Sequence, residues 1–583
     1  MRKSVLASIL AAVLAIMVFL PTALAVSSTT MYILLYIDRQ EAFINDEMVT
    51  LDTPATIIND KTFVPAKFLG DAMGLKVEWD SKTNVIFMET PAAKIKLDAV
   101  NKSVFINDYW VQFDTVAAIV NGRLMIKLTW LADYMGAKYQ YNEELRRVEI
   151  VYVKNPQGLS IGNDAVNSKP VAKFALNKTT YRIGEPVKYI DLSYDPDAEG
   201  IANTEWQGNK EAFFAPGRYK VSLRVTDSSG HVSDEYIRYV DVADEPYLTE
   251  LEYALQYKPV NHFIKANWSM LWGNFWELPE LPKKAAYDNT RKLIVSDSPE
   301  TFKQKGILYQ DTVNGKGRLY ADHVNGTEET VQFVILATNN TDKEVTVRTT
   351  NRGEVYPSIY ANIIGHEATV DFLLGDPINN KLVLPPKSSR VFVQMPSFLP
   401  NQGVNLFYDV ETDGEVSFSF MAMDLISTPV STYGYKPLPF EGHVRGSFPA
   451  SEVRWDIDAS SYTKPSRIII GDGKTDAFIE GYDVFRKEKV KNEGNYGIVY
   501  NIHADHPRKG VILILARGGN FKGPFKINGE FVMVPPSGVL TAFDGLQILA
   551  RTTGNEPSLD IQFSPPAASA FPIDLIFYPL EDK

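Results

Sequence analysis

The tetrapeptide Phe43-Ile44-Asn45-Asp46 returns as Phe105-Ile106-Asn107-Asp108, an offset of 105 − 43 = 62 residues. The same offset carries Asp52 onto Asp114, Asn59 onto Asn121, Leu69 onto Leu131, Met73 onto Met135, Gly74 onto Gly136 and Lys76 onto Lys138. It also matches Phe68 with Trp130 and Trp79 with Tyr141. Matches in one ungapped register mark a duplicated supersecondary unit, which no single-copy fold accommodates. Each copy reads alike. Alternation around Ala42-Phe43-Ile44 predicts short strands, with a turn at Asn45-Asp46. Val64, Phe68, Leu69 and Met73 fall at helical spacing, with Pro65 near the helix start and Gly74 just past its end. Leu75 to Trp79 alternates as a strand, and 80–84 turns. The unit expected is hairpin, helix, hairpin, with Phe68 and Trp130 buried at matching places, and likewise Leu69 and Leu131.

The run from Ile57 to Gly74, followed by Val77-Glu78-Trp79-Asp80, resembles the stalk domain named after the N-terminus of copper amine oxidases. The resemblance covers residues 31–153. It implies a non-catalytic α+β appendage of the kind carried by secreted proteins of Gram-positive bacteria. It does not imply amine oxidation. That chemistry needs a tyrosine in an Asn-Tyr-Asp/Glu context and three histidines for copper. The one Asn-Tyr here, Asn495-Tyr496, is followed by Gly497, and no His-x-His pair occurs. No catalytic residue, cofactor or metal site is assigned.

Arg2 and Lys3 precede an apolar run from Val5 to Leu20, and Ala23 and Ala25 are the small residues a signal peptidase accepts. Residues 1–25 therefore read as an export signal cleaved after Ala25. No later stretch is apolar for the roughly 18 residues a spanning helix needs, so no membrane span is expected after cleavage. Removing Arg2 and Lys3 leaves 59 − 2 = 57 basic residues against 71 acidic ones. That balance disfavours a nucleic-acid partner, which calls for a basic face. Cysteine is absent, which removes disulfides, thiolate metal sites and cysteine nucleophiles.

Polar residues 154–170 read as a linker. Within it, Gly158-Leu159-Ser160-Ile161-Gly162 has the hydrolase nucleophile spacing, but no helix follows to support it. Residues 171–245 show short alternating strands and resemble a PKD-type Ig-like β-sandwich. Asp195, Asp197 and Glu199 there are oxygen donors of the kind calcium takes, although a solvated turn, which Asp and Pro favour, is the preferred reading. Residues 246–290 form a tryptophan-rich connecting segment. Trp268, Trp272 and Trp276 recur every four residues, on one helical stripe. They are the candidate binding residues, as an aromatic platform, but the reading preferred is that they pack as a short helix or lid on the next domain.

Beyond residue 290 strand patterns dominate and predict two β-sandwiches, 291–432 and 440–583. A weaker match at 497 − 317 = 180 sets Gly317, Tyr320 and His323 against Gly497, Tyr500 and His503. His503-Ala504-Asp505-His506 has metal-binding residue types, and Asp472, Asp476 and Glu480 form an acidic loop, both expected to be incidental. The fold class expected is mainly β and multidomain: a duplicated α+β stalk, an Ig-like sandwich and two C-terminal sandwiches. The function expected is a secreted, non-catalytic surface or wall-associated protein, held non-covalently, with a structural, spacer or adhesion role. A carbohydrate-binding protein using the C-terminal aromatics is the alternative, and a hydrolase whose site assembles only in the fold is the third. The partners expected are cell-wall or extracellular polysaccharide and other proteins.

Overall fold

The structure, a computed structural model, describes residues 30–581 apart from 46, 81, 91–92, 154–167, 198–199, 377 and 426–430. The expected export signal, most of the 154–170 linker with its Gly-x-Ser-x-Gly run, and Glu199 lie outside the described residues. The chain is mainly β and divides into two compact units, Met1–Tyr247 and Leu248–Lys583.

In the stalk region the two copies interleave. One five-stranded sheet runs Lys138–Asn142, Arg147–Val153, Thr30–Tyr36, Glu41–Ile44, Glu47–Thr50. The other runs Lys76–Asp80, Val85–Glu89, Lys94–Asp98, Ser103–Ile106, Tyr109–Gln112. Each therefore joins the opening strands of one copy to the closing strands of the other. Between them Lys61–Pro65 pairs antiparallel with Arg123–Lys127, Val64 opposite Ile126 and Phe63 opposite Lys127. Since 126 − 64 = 62, this pairing maps onto itself under the repeat offset, and the copies are related by a pseudo-twofold through it. The same asparagine does the same work twice: Asn45 Oδ1 accepts from the Tyr32 N–H at 2.9 Å and Asn107 Oδ1 from the Lys94 N–H at 2.8 Å.

The helices Ala66–Met73 and Leu128–Met135 stop at Gly74 and Gly136, with φ of 68° and 63°. Glycine adopts this left-handed backbone without a Cβ clash, which fixes where each helix ends. Leu69 and Leu131 are buried in the shared core; Phe68 and Trp130 sit at equivalent places but are half-buried there. Across residues 171–245 Thr180–Ile183, Tyr236–Pro246, Gly217–Asp227 and Ile201–Gln207 form one sheet, and Phe174–Leu176 pairs with Tyr189–Asp191. Phe174, Tyr181, Leu223 and Val240 fill the space between them.

The second unit is built on two long antiparallel strands, Gly306–Asn325 and Gly403–Met423. Their register shifts between Val313 and Gly315, and each half of Gly403–Met423 takes a different neighbour: Val345–Ser358 beside its first half, Val331–Asn339 beside its second. A bulge lets a strand bend from one layer to another, which closes the layers around Leu308, Phe333, Leu406 and Phe418. The strands expected to divide at 432–440 share sheets. Arg291–Ser296 pairs with Arg445–Phe448, Lys283–Asp288 with Glu452–Ile457, and Phe263–Lys265 with Gly545–Thr552. One core accordingly contains Tyr320 and Phe407 together with Trp455, Tyr500 and Phe563.

Two arginines, Arg318 buried and Arg551 half-buried, tie these layers. Arg318 makes a bidentate contact with Asp409, Nε to Oδ1 at 2.7 Å and Nη2 to Oδ2 at 3.0 Å, while Nη1 donates to the Ser451 carbonyl at 2.7 Å. Arg551 lies at the C-terminus of helix Glu250–Tyr257, Nη1 donating to the Leu255 carbonyl at 2.6 Å and Nε to that of Lys258 at 2.8 Å. A cation there satisfies carbonyls the helix leaves open. The tryptophan-rich segment is thus fastened onto the C-terminal sheet.

Candidate functional site

Helix Trp268–Asn274 starts at Asn267, whose Oδ1 accepts from the Met270 N–H at 2.9 Å. Asparagine is a good cap because its side chain satisfies an open helix N–H. Leu271 and Phe275 project inward and, with Ile264, pack on Val511, Leu513, Leu546 and Ile548. That leaves the tryptophans on the other side. Trp268 is 42% exposed and Trp272 53%, while Trp276 is half-buried beneath the Arg517 guanidinium, 4.7 Å from its ring centre. Packing of this segment is thus carried by Leu271 and Phe275, with Trp276 contributing from the edge.

The structure adds a ring that sequence reasoning missed. Phe543, 73% exposed, stands edge-on to Trp268 with centres 5.0 Å apart. Its turn is held by Asp544, whose Oδ2 accepts from the Thr541 N–H at 2.9 Å and hydroxyl at 2.8 Å. Trp268 and Trp272 lie 6.2 Å apart and 30° from parallel, and Trp272 and Trp276 4.8 Å apart. The result is a contiguous outward apolar patch. Such a patch, rimmed by polar surface, suits a ligand with a flat apolar face.

A second constellation had no sequence signal. Strand Arg291–Ser296 runs parallel to the stretch of Gly306–Asn325 containing Tyr320 and Ala321, and Asp322 stands opposite Asn405. Just past the paired Ser296, Asp297 donates its N–H to the Val444 carbonyl at 3.0 Å. Asp297, Asp322 and Asn405 therefore follow one another across adjacent strands, with Tyr320 two residues before Asp322 on the same face. Tyr496 stacks on Tyr320 with centres 6.1 Å apart. His443 closes the outer end, its Nε2 2.7 Å from Glu300 Oε2 and its Nδ1 4.0 Å from Asp297 Oδ2.

Burial, then the charges of Asp322 and Glu300, holds the Asp297 carboxyl well above the usual carboxylate range. Asp322, half-buried, is pushed up to about 7, by burial first and then by Glu300. Burial and the same acids raise both the Tyr320 and Tyr496 hydroxyls. Asp297 Oδ1, the Tyr320 hydroxyl and Asn405 Oδ1 are buried without a hydrogen-bond partner among the described residues. This group holds protons at neutral pH where exposed carboxylates do not.

The remaining sequence candidates serve the fold. His503 stands between two carboxylates, Nδ1 2.6 Å from Asp560 and Nε2 3.1 Å from Asp505, and the Asp560 contact raises its pKa. Asp472 closes its own loop by accepting from the N–H groups of Lys474, Thr475 and Asp476. Asp476 is buried against the Tyr500 hydroxyl at 2.7 Å, and Glu480 faces Lys491. Asp195 accepts from the Asp197 N–H at 2.6 Å, as a turn aspartate does. Among the described residues, no group of three or more His, Asp or Glu side chains is placed to hold a metal. No described helix is long and apolar enough to cross a membrane.

The copper amine oxidase N-terminal domain matches twice, over residues 22–88 and 43–150. It is the non-catalytic N-terminal part of such oxidases, and the match gives no indication of amine oxidation. No curated protein sequence matches the chain. Among solved structures, one from work on the promiscuous specificity of carbohydrate-binding modules of the β-sandwich superfamily aligns at 15% identity. It covers 45% of this chain and 99% of its own, with a TM-score of 0.13, too low to bear on function.

Proposed function

We propose that the chain is an exported, non-catalytic, modular binding protein that engages polysaccharide at the cell surface through the tryptophan patch of its second unit. The observation that carries this reading is the outward exposure of Trp268, Trp272 and Phe543. Burying large aromatic rings is favourable, so three of them left in water around one helix end call for a ligand. Pyranose rings present flat C–H faces that stack on such rings while their hydroxyls remain solvated. The stalk repeats and the Ig-like, PKD-type module act in this reading as spacers that carry the binding unit.

The test is co-sedimentation of the full mature protein with purified cell walls and a panel of insoluble polysaccharides, repeated with Trp268→Ala/Trp272→Ala. By analogy with aromatic stacking on bases, binding to at least one matrix should fall about tenfold or more. The melting temperature should stay within a few degrees, because neither ring fills the core. Unchanged binding by the double variant would remove the patch from the reading.

A further inference from the structure

The two stalk sheets have the same backbone and different outer faces. In the sheet of residues 76–112, backbone register lines up Glu78, Phe87, Lys96, Phe105 and Trp110 across five strands. This row points away from the core, since Met88, Ile95, Leu97 and Val104 occupy the opposite face and are buried. Phe87 is 44% exposed and Trp110 62%. The Lys96 ammonium sits between two rings, 5.9 Å from the centre of Phe87 and 5.8 Å from that of Phe105. Beside the row lies a cleft of about 650 Å³ lined by Phe87, Lys96 and Phe105.

Subtracting or adding the repeat offset of 62 gives the corresponding row of the other sheet: Gln140, Glu149, Leu34, Phe43 and Met48. There the position of Phe87 is held by Glu149, which accepts from Tyr32 at 2.9 Å, Gln140 at 3.0 Å and Arg147 at 2.8 Å. That position satisfies itself, and the exposed apolar group at the end of the row is the flexible side chain of Met48 and not a ring. The counterpart face instead presents two exposed rings and a cleft, although the core positions Leu69 and Leu131, Met73 and Met135, Gly74 and Gly136 are the same in both. The difference between the copies therefore lies in the outward row and not in what the fold needs.

We infer that the outer face of the 76–112 sheet is a second ligand site, and that it takes a neutral polysaccharide chain. Charge selects the ligand. The cleft lining carries Lys76, Lys94 and Lys96 against Glu78, Glu89 and Asp108, which is balanced. Two of the lysines are already matched at the rim, Lys76 with Glu78 at 3.0 Å and Lys94 with Glu89 at 3.9 Å. An anionic polymer would meet as much repulsion as attraction, as would a cationic one. A polyhydroxylated neutral chain finds both donors and acceptors along the rim and rings beneath it. Phe87 and Phe105 stand two strands apart, about 9–10 Å, farther than one pyranose reaches, so the occupant is a chain of linked sugars. The inference is independent of the tryptophan patch.

The experiment is affinity gel electrophoresis of the full mature protein in gels containing hydroxyethylcellulose, galactomannan or soluble β-1,3-glucan, with polygalacturonate and chitosan as charged controls. Variants are Phe87→Ala, Trp110→Ala, Met48→Ala in the corresponding row, and Trp268→Ala/Trp272→Ala, each checked for an unchanged melt. At least one neutral polymer should retard the protein. Phe87→Ala and Trp110→Ala should each weaken that retardation about tenfold, and Met48→Ala should leave it as it was. Retention of part of the retardation by Trp268→Ala/Trp272→Ala supports the second site. Loss caused by the tryptophan pair alone overturns the second site and leaves the patch standing. Loss caused by Phe87→Ala and Trp110→Ala alone supports the second site and counts against the patch. Retardation by none of the neutral polymers, or by a charged control only, overturns the inference.

Discussion

Replacing Asp322 by Asn should remove a pH effect from the second unit. In the folded state the Asp322 carboxyl is pushed up to about 7 by burial and by Glu300, against an ordinary value of 3.8. Between those values the folded chain holds a proton that the unfolded chain has released. Stability then falls as pH rises, by up to about 1.4 kcal/mol per pH unit. The contribution is fully present below about pH 4 and is lost as pH climbs through about 7. Full burial would make the loss about 4 kcal/mol, but Asp322 is only half-buried and water screens part of it, so about 2 kcal/mol is the working figure. Asparagine has nearly the shape of a protonated aspartate and never ionises. Asp322→Asn should match the parent protein below about pH 4, pull ahead of it as pH rises, and exceed it by about 2 kcal/mol near pH 8. Urea unfolding followed by tryptophan fluorescence, to which Trp455 in the neighbouring core contributes, reads this. A variant whose stability runs parallel to that of the parent from pH 5 to pH 8, or one less stable at pH 8, would refute the proton-holding assignment.

Three further outcomes follow from packing. Leu69→Ala and Leu131→Ala occupy equivalent buried positions, so each should cost about 2–5 kcal/mol, with similar values in chemical unfolding; a large asymmetry would break the pseudo-twofold. Arg318→Met leaves Asp409 buried without its bidentate partner and should lower stability by about 3–5 kcal/mol, while Arg318→Met/Asp409→Leu should recover much of it in the same assay. Arg551→Met removes the cation from the end of helix Glu250–Tyr257 and should cost up to about 2 kcal/mol, with faster amide exchange in residues 254–258 than elsewhere in the unit.

The stalk was legible because duplication writes one local pattern twice, and the features that repeat are local: a turn asparagine, an apolar helical stripe, a glycine after it. The interleaving of the copies was not legible, since nothing near residue 30 names a partner near residue 153. The tryptophans show a different limit. Spacing of four puts Trp268, Trp272 and Trp276 on one stripe, but Leu271 and Phe275 define a competing apolar stripe one position away. Which of them meets the sheet depends on the surface supplied by residues 511–515 and 546–548. Phe543 arrives from a turn almost three hundred residues downstream and had no local sign. The Asp297 cluster was hidden for the same reason in stronger form. Its members come from five separate stretches, and each alone reads as an ordinary polar residue of a strand or loop. The division at 432–440 failed as a sheet boundary because Lys283–Asp288 and Arg291–Ser296, though adjacent in sequence, pair with different strands of the following region.

The strand Ile573–Pro579 lies inside its sheet, hydrogen-bonded to Gly510–Ala516 on one side and Ser466–Ile470 on the other. The opposite edge of that sheet is supplied by Phe263–Lys265. During synthesis the chain therefore emerges with its first strands waiting for partners made some three hundred residues later. The sheet cannot form until Ile573–Pro579 has left the ribosome or, in an exported chain, the translocation channel. Contacts so distant in sequence slow folding and prolong the time that strand edges stay open to other chains. The second unit should consequently not tolerate removal of this strand, and its yield should respond to chaperones that hold unfolded chains more than to substitutions in the stalk, whose strands pair within a much shorter span.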